Sequence, residues 1–131
     1  MTLQPPSPPG PDRNLDRTGL GVTAESRDDD STLVVHATGQ MDLHTVGILE
    51  TAVDGYLADR HTRLVLDLSG VTLCDSSGLT ALIRIHHRTA DVGGWLRLAA
   101  ATPQVQWVLE ITNLVQLLPL YPSVEQALAS S

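Results

Sequence analysis

Asp75-Ser76-Ser77 sets a carboxylate and two hydroxyls in consecutive positions, a short distance after the apolar run Leu64-Val65-Leu66-Asp67-Leu68. Leu79, Leu82, Ile83, His86 and Ala90 follow at helical spacing. The three polar residues therefore fall where a helix leaves its first amides unpaired and carries a partial positive charge. Two uses of such residues are open. A side chain can cap the helix, which is the commoner case, or a phosphate carried by a serine can be held by the same amides and dipole. The second use would make a serine here a switch.

Nucleophilic catalysis asks for more than the sequence offers. A hydrolase elbow reads Gly-x-Ser-x-Gly, whereas Leu73, Cys74 and Asp75 precede Ser76 without that glycine. The candidate bases are His36, His44, His61, His86 and His87. None has a spacing that points to Ser76, although His44 is nearest by topology. His86 and His87 are adjacent and so point roughly 100° apart around a helix, which is not the paired face of a metal site. His86 reads as a core or boundary residue, and His87 as solvent-facing beside Arg84 and Arg88. The lone cysteine excludes an intrachain disulfide and a cysteine-based zinc cluster, and Cys74 suits the role of a small buried apolar group. A Walker lysine motif and Gly-x-Gly-x-x-Gly are both absent. The reading is a non-enzymatic chain without metal or cofactor.

The elements that must position Ser76 can be read in order. Residues 19–27 form a weak strand, Asp28-Asp29-Asp30-Ser31 a polar turn, and Leu33, Val35 and Ala37 the inward side of a second strand that closes a hairpin. Gly39-Gln40-Met41-Asp42 ends that strand. Val46, Leu49, Val53, Tyr56 and Leu57 mark one face of a first helix, with Asp42 or Thr45 near its start. Arg63 to Leu68 is an interior strand, and the Ser76 helix closes at Asp91-Val92-Gly93-Gly94. A strand over 95–100, a helix opened by Thr102-Pro103, an edge strand over 117–121 and a last helix capped by Ser123 complete the chain. Strand–helix alternation after a hairpin predicts an α/β fold: a mixed sheet of four to five strands with helices mainly on one face. Trp107 lies off the apolar stripe of its helix, either as an exposed contact or packed at the sheet edge.

Composition bounds the rest. The first 18 residues hold five of the eight prolines and no apolar run, so 1–18 reads as a disordered tail with polyproline II character and 19–131 as the folded domain. The core must be aliphatic, because the chain has no Phe, two Trp and two Tyr. A formal charge of −7 disfavours nucleic acid and anionic lipid as partners. No stretch has the length to cross a membrane. The expectation is a small acidic cytoplasmic protein.

Asp75-Ser76-Ser77-Gly78-Leu79 after a strand, Gly39-Gln40-Met41-Asp42-Leu43-His44-Thr45 after the hairpin, and Tyr121-Pro122-Ser123-Val124-Glu125-Gln126-Ala127-Leu128 near the end together resemble the STAS domain. More narrowly, they are similar to bacterial anti-sigma factor antagonists, over roughly residues 19–129. The resemblance implies a partner-switching regulator that binds an anti-sigma factor and so frees a sigma factor. That anti-sigma factor is commonly a serine kinase using ATP and magnesium of its own, and a PP2C-type phosphatase reverses its action. By the same resemblance the phosphoacceptor is Ser76. The partner surface comprises Asp42, Thr45, Asp75, Ser76, Ser77 and Gly78, with Gly78 allowing close approach of the partner and Leu79 in the core. The chain is expected as a monomer or weak dimer. The alternative keeps the fold but makes it a scaffold subunit of a stressosome or a lipid-transport ATPase; a nucleotide-binding module is the more distant one.

Overall fold

The computed structural model of the chain describes residues 19–27 and 29–130. The tail assigned to residues 1–18, and Asp28 in the expected turn, lie outside the described residues. Strands β1 (Leu20–Arg27) and β2 (Asp29–Met41) pair antiparallel, with Leu20 opposite Gly39 and Ser26 opposite Leu33. Helix α1 (Val46–Ala58) leads to β3 (Arg63–Cys74), α2 (Ser76–Asp91) to β4 (Trp95–Ala99), and α3 (Pro103–Ile111) to β5 (Leu120–Tyr121), with α4 (Val124–Ala129) last. The sheet order is β1-β2-β3-β4-β5, and the pairs from β2 onward are parallel.

That order explains where the helices lie. Each crossover steps one strand further in the same direction, and a shared right-handed sense then puts every crossover helix on one face. The main core forms there. Leu33, Val35, Leu64, Leu66, Leu68, Leu96 and Leu98 from the strands meet Leu49 and Val53 of α1, Leu82 and Ile85 of α2, and Val105 and Leu109 of α3. The opposite face carries α4 alone, whose Ala127 closes over Val34, Val65 and Ala99 with Trp95, Tyr121, Val124 and Leu128 around them. Arg97 fastens α4 by donating to the carbonyls of Ala127 and Ser130 at 2.8 and 2.9 Å, while its guanidinium lies 3.8 Å over the Trp95 ring.

Several expectations are adjusted. The buried side of α2 is Gly78, Ala81, Leu82, Ile85 and Thr89, one position away from the side read by spacing, and Ala90 is exposed. Small residues face the sheet because the helix is drawn in close to it. Val34, read as an outward residue of β2, is fully buried beneath α4. Strand β3 continues past Leu68 to Cys74, with register irregularities opposite β2. Strand β5 shrinks to two residues, because a 3-10 turn over Leu114–Gln116 turns Leu118 fully inward. Trp107 is 61% exposed, so it does not pack at the sheet edge.

Candidate functional site

The end of β2 and the start of α2 are built as one unit. Met41 pairs with Cys74 across the parallel strands, and the Asp75 amide donates to the Met41 carbonyl at 3.2 Å. Gly78 makes the approach possible. A Cβ at this position would lie 2.8 Å from the Met41 carbonyl oxygen and 2.7 Å from the Cys74 sulfur. The close approach that this glycine permits is therefore intramolecular, helix against strand, and Gly78 is buried rather than presented to a partner.

Capping is resolved in favour of Asp75. Its Oδ1 accepts from the amides of Ser77 at 2.9 Å and Gly78 at 3.1 Å, the usual work of an N-cap carboxylate. Ser76 is left at the first helical position with an exposed side chain, and Ser77 is half-buried. Thr80, the next hydroxyl along the helix, donates to the Ser76 carbonyl at 2.9 Å and is committed to the backbone. Of the hydroxyls at this end of α2, that of Ser76 is the one both exposed and uncommitted.

The segment from Asp42 to Thr45 forms the other wall. Thr45 is buried, and its hydroxyl donates to the Gln40 carbonyl at 2.7 Å while accepting from the Asp42 amide at 2.9 Å. It is thus a brace inside the turn, not a surface contact. The Asp42 carboxylate accepts from the His44 amide at 2.9 Å, as in an Asx turn, and remains half-exposed. Asp42 and Asp75 leave this end of the molecule acidic. Leu79 is partly buried against the main core.

Cys74 lies beneath the site, 8% exposed. Burial, helped by the neighbouring Asp75 carboxylate, pushes its thiol up to about 11, which makes it an inert packing group at neutral pH. His36 is engaged elsewhere, in mid-strand, where its two ring nitrogens lie 2.6 Å from Asp67 and 2.8 Å from Glu25. His86 is half-buried and His87 exposed. Among the described residues no group of three His, Cys, Asp or Glu side chains could hold a metal ion, and no helix is long and apolar enough to cross a membrane. A groove of about 720 Å³ opens beside β5, lined by Gln106, Glu110, Val115, Leu120 and Tyr121 among others, and its one charged residue is the acidic Glu110.

Two features escaped the sequence. The sharing of Gly78 between strand and helix depends on a distance that no spacing encodes. The inward turn of the Thr45 hydroxyl carries a weak signal, a threonine three residues after Asp42, which reads equally as a cap.

Comparison with known proteins places this geometry. An anti-sigma F factor antagonist of Paenibacillus polymyxa is 27% identical over 97 residues, covering 73% of this chain and 83% of that one. A shorter match, 32% identical over 75 residues, covers 57% of this chain and 66% of a Thermotoga neapolitana relative, just under two thirds of its length. The crystal structure of an anti-sigma factor antagonist from Mycobacterium paratuberculosis superposes with a TM-score of 0.74 at 30% identity, covering 83% of this chain and 91% of that one. The Bacillus cell fate determinant SpoIIAA shares the fold at 19% and 18% identity, in its unphosphorylated and phosphorylated forms respectively. Those two structures give TM-scores of 0.69 and 0.63, cover 82% of this chain in each case, and are themselves covered to 93% and 96%. The STAS domain family matches residues 23–127, which takes in β2 to β5 and their crossover helices with most of β1 and of α4. With the β2 end and the α2 start joined as described, the chain belongs to the STAS domain family.

Proposed function

We propose that this protein is an anti-sigma factor antagonist that binds an anti-sigma factor with serine-kinase activity, releases a sigma factor, and is switched off by phosphorylation of Ser76. The observation that carries this reading is the exposed Ser76 hydroxyl at the first turn of α2, beside amides that the Asp75 carboxylate already occupies. A phosphate there adds close to two negative charges next to Asp75. With the Ser77 and Gly78 amides taken, that charge faces outward, toward whatever docks on this end. A partner surface fitted to a neutral hydroxyl would then bury an unpaired charge, and the complex dissociates without any change of fold. The relatives support the class of partner by their names, and the existence of SpoIIAA in phosphorylated and unphosphorylated forms supports the kind of switch. A PP2C-type phosphatase would complete the cycle. The protein acts here as substrate, and catalysis belongs to the kinase.

The test is intact-mass and site mapping after incubation with ATP, magnesium and each serine-kinase anti-sigma factor of the source genome. One phosphate on Ser76 with loss of binding is expected. Ser76→Ala should bind constitutively, and Ser76→Asp should bind about 100-fold more weakly, which corresponds to about 2.7 kcal/mol. Equal binding by both variants would rule out charge as the switch. A stable complex with no modification by any kinase would instead favour a scaffold role in a stressosome-like assembly.

A further inference from the structure

Six large hydrophobic residues among those described are exposed, and single exposures of this kind are ordinary. Leu43 differs from the other five in where and how it is held. It is the most exposed of them at 71%, yet the turn that carries it is pinned on every side. The amides of Asp42, His44 and Val46 and the hydroxyl of Thr45 are all hydrogen-bonded within residues 40–46, at 2.7–3.0 Å. Met41, two residues before Leu43, accepts from Asp75, the residue next to Ser76. Leu43 and Ser76 are therefore presented by one rigid frame, and the ordering entropy of that frame is settled before any partner arrives.

We propose that Leu43 is the apolar anchor of the partner surface, seating in a hydrophobic pocket of the anti-sigma factor beside the site that receives Ser76. This rests on the function proposed above and assigns a residue that charge-based switching leaves without a role. Leu43 supplies affinity by burying apolar surface, and Ser76 supplies the on–off control. The patch formed by Trp107 and Ile111 is the natural comparison, because both residues are exposed to a similar degree, 61% and 63%, but they stand on α3 and not on the β2–α2 frame.

The experiment is titration of the unphosphorylated full chain against each purified serine-kinase anti-sigma factor of the source genome, with ADP and magnesium, by calorimetry. Leu43→Ala should raise Kd about tenfold, about 1.4 kcal/mol, with an unchanged melting temperature, since the side chain makes no core contact. Leu43→Met should restore binding to within about twofold, and Trp107→Ala should leave Kd unchanged. If wild type binds and Leu43→Ala binds within about twofold of it, the anchor is overturned while the partner assignment stands. If wild type binds none of the kinases, the partner assignment falls and the anchor with it.

Discussion

The two faces of the sheet were built under different constraints. On the crossover face, three helices close over an aliphatic layer that runs unbroken from β2 to β4. On the other, α4 covers Val34, Val65 and Ala99, and the part of the face beyond it along the strands is polar: His36 bridges Glu25 on β1 and Asp67 on β3. The difference follows from sheet order. Crossovers that all step the same way exhaust the helices on one side, and the other side is left to whatever the chain terminus and the strands themselves provide. The site belongs to neither face. It sits at the strand ends, where β2 and α2 meet, so the faces can differ without disturbing it.

Three measurements would break or sharpen that contrast. The largest effect is expected on the crossover face. Leu66→Ala removes a side chain that is 2% exposed in the middle of the main cluster, and should cost about 2–5 kcal/mol in denaturant unfolding. A cost below that range would mean that the two faces carry the fold more equally than their packing implies. Next comes Arg97→Ala, which removes the two bonds to the Ala127 and Ser130 carbonyls and the cation–π contact with Trp95. A loss of about 1–3 kcal/mol is expected, with the Trp95 fluorescence maximum shifting red as α4 loosens.

The smallest effect lies in the polar part. The Glu25 carboxylate chiefly, with Asp67 also helping against the cost of burial, holds the His36 imidazolium above the ordinary histidine range. A raised folded value means that its stabilisation is complete below the unfolded value of about 6.5 and is lost as pH rises through the folded one. For Asp67, burial pulls upward, but the Ser69 amide and hydroxyl and His36 outweigh it and keep the carboxyl low. Its contribution is complete above about 3.9 and is lost as pH falls through the folded value. Stability should therefore crest between the two ranges and decline on either side. Because the imidazole is 34% exposed, the decline on the alkaline side should stay under about 1 kcal/mol. His36→Gln should flatten that side of the unfolding profile from pH 6 to 8. A profile that keeps its slope would assign the pH dependence to another group.

How far the sequence disclosed all this depends on the range of the interaction concerned. The helix beginning at Ser76 was legible because Asp-Ser-Ser is local cap chemistry, and the hairpin and the succession of strands and helices along the chain were legible from periodicity. What failed was the phase of α2. Spacing favoured the large residues Leu79 and Ile83, but the buried side follows Gly78, Ala81 and Ile85, because contact with the Met41 carbonyl rotates small residues toward the sheet. Val34 was misread for a similar reason: the helix that covers it lies some ninety residues further along the chain. At the site, Asp42 follows the end of β2 and Asp75 and Ser76 open α2, with the two segments joined through the Met41 carbonyl, while Thr45 and Gly78 hold this end from within.

The sheet grows by addition at one edge, each strand finding its partner in the strand just before it. Each parallel pair spans an intervening helix, as Thr32 with Arg63 does, and such non-local pairing is slow compared with the closing of a helix. A chain emerging from the ribosome can add one strand and one helix at a time without waiting for distant segments. The β2 turn and the start of α2 are both present once residue 91 has emerged, before β4, α3 and β5 exist to finish the sheet. The surface proposed to meet a partner is thus assembled from the early half of the protein, and the later half acts as its buttress.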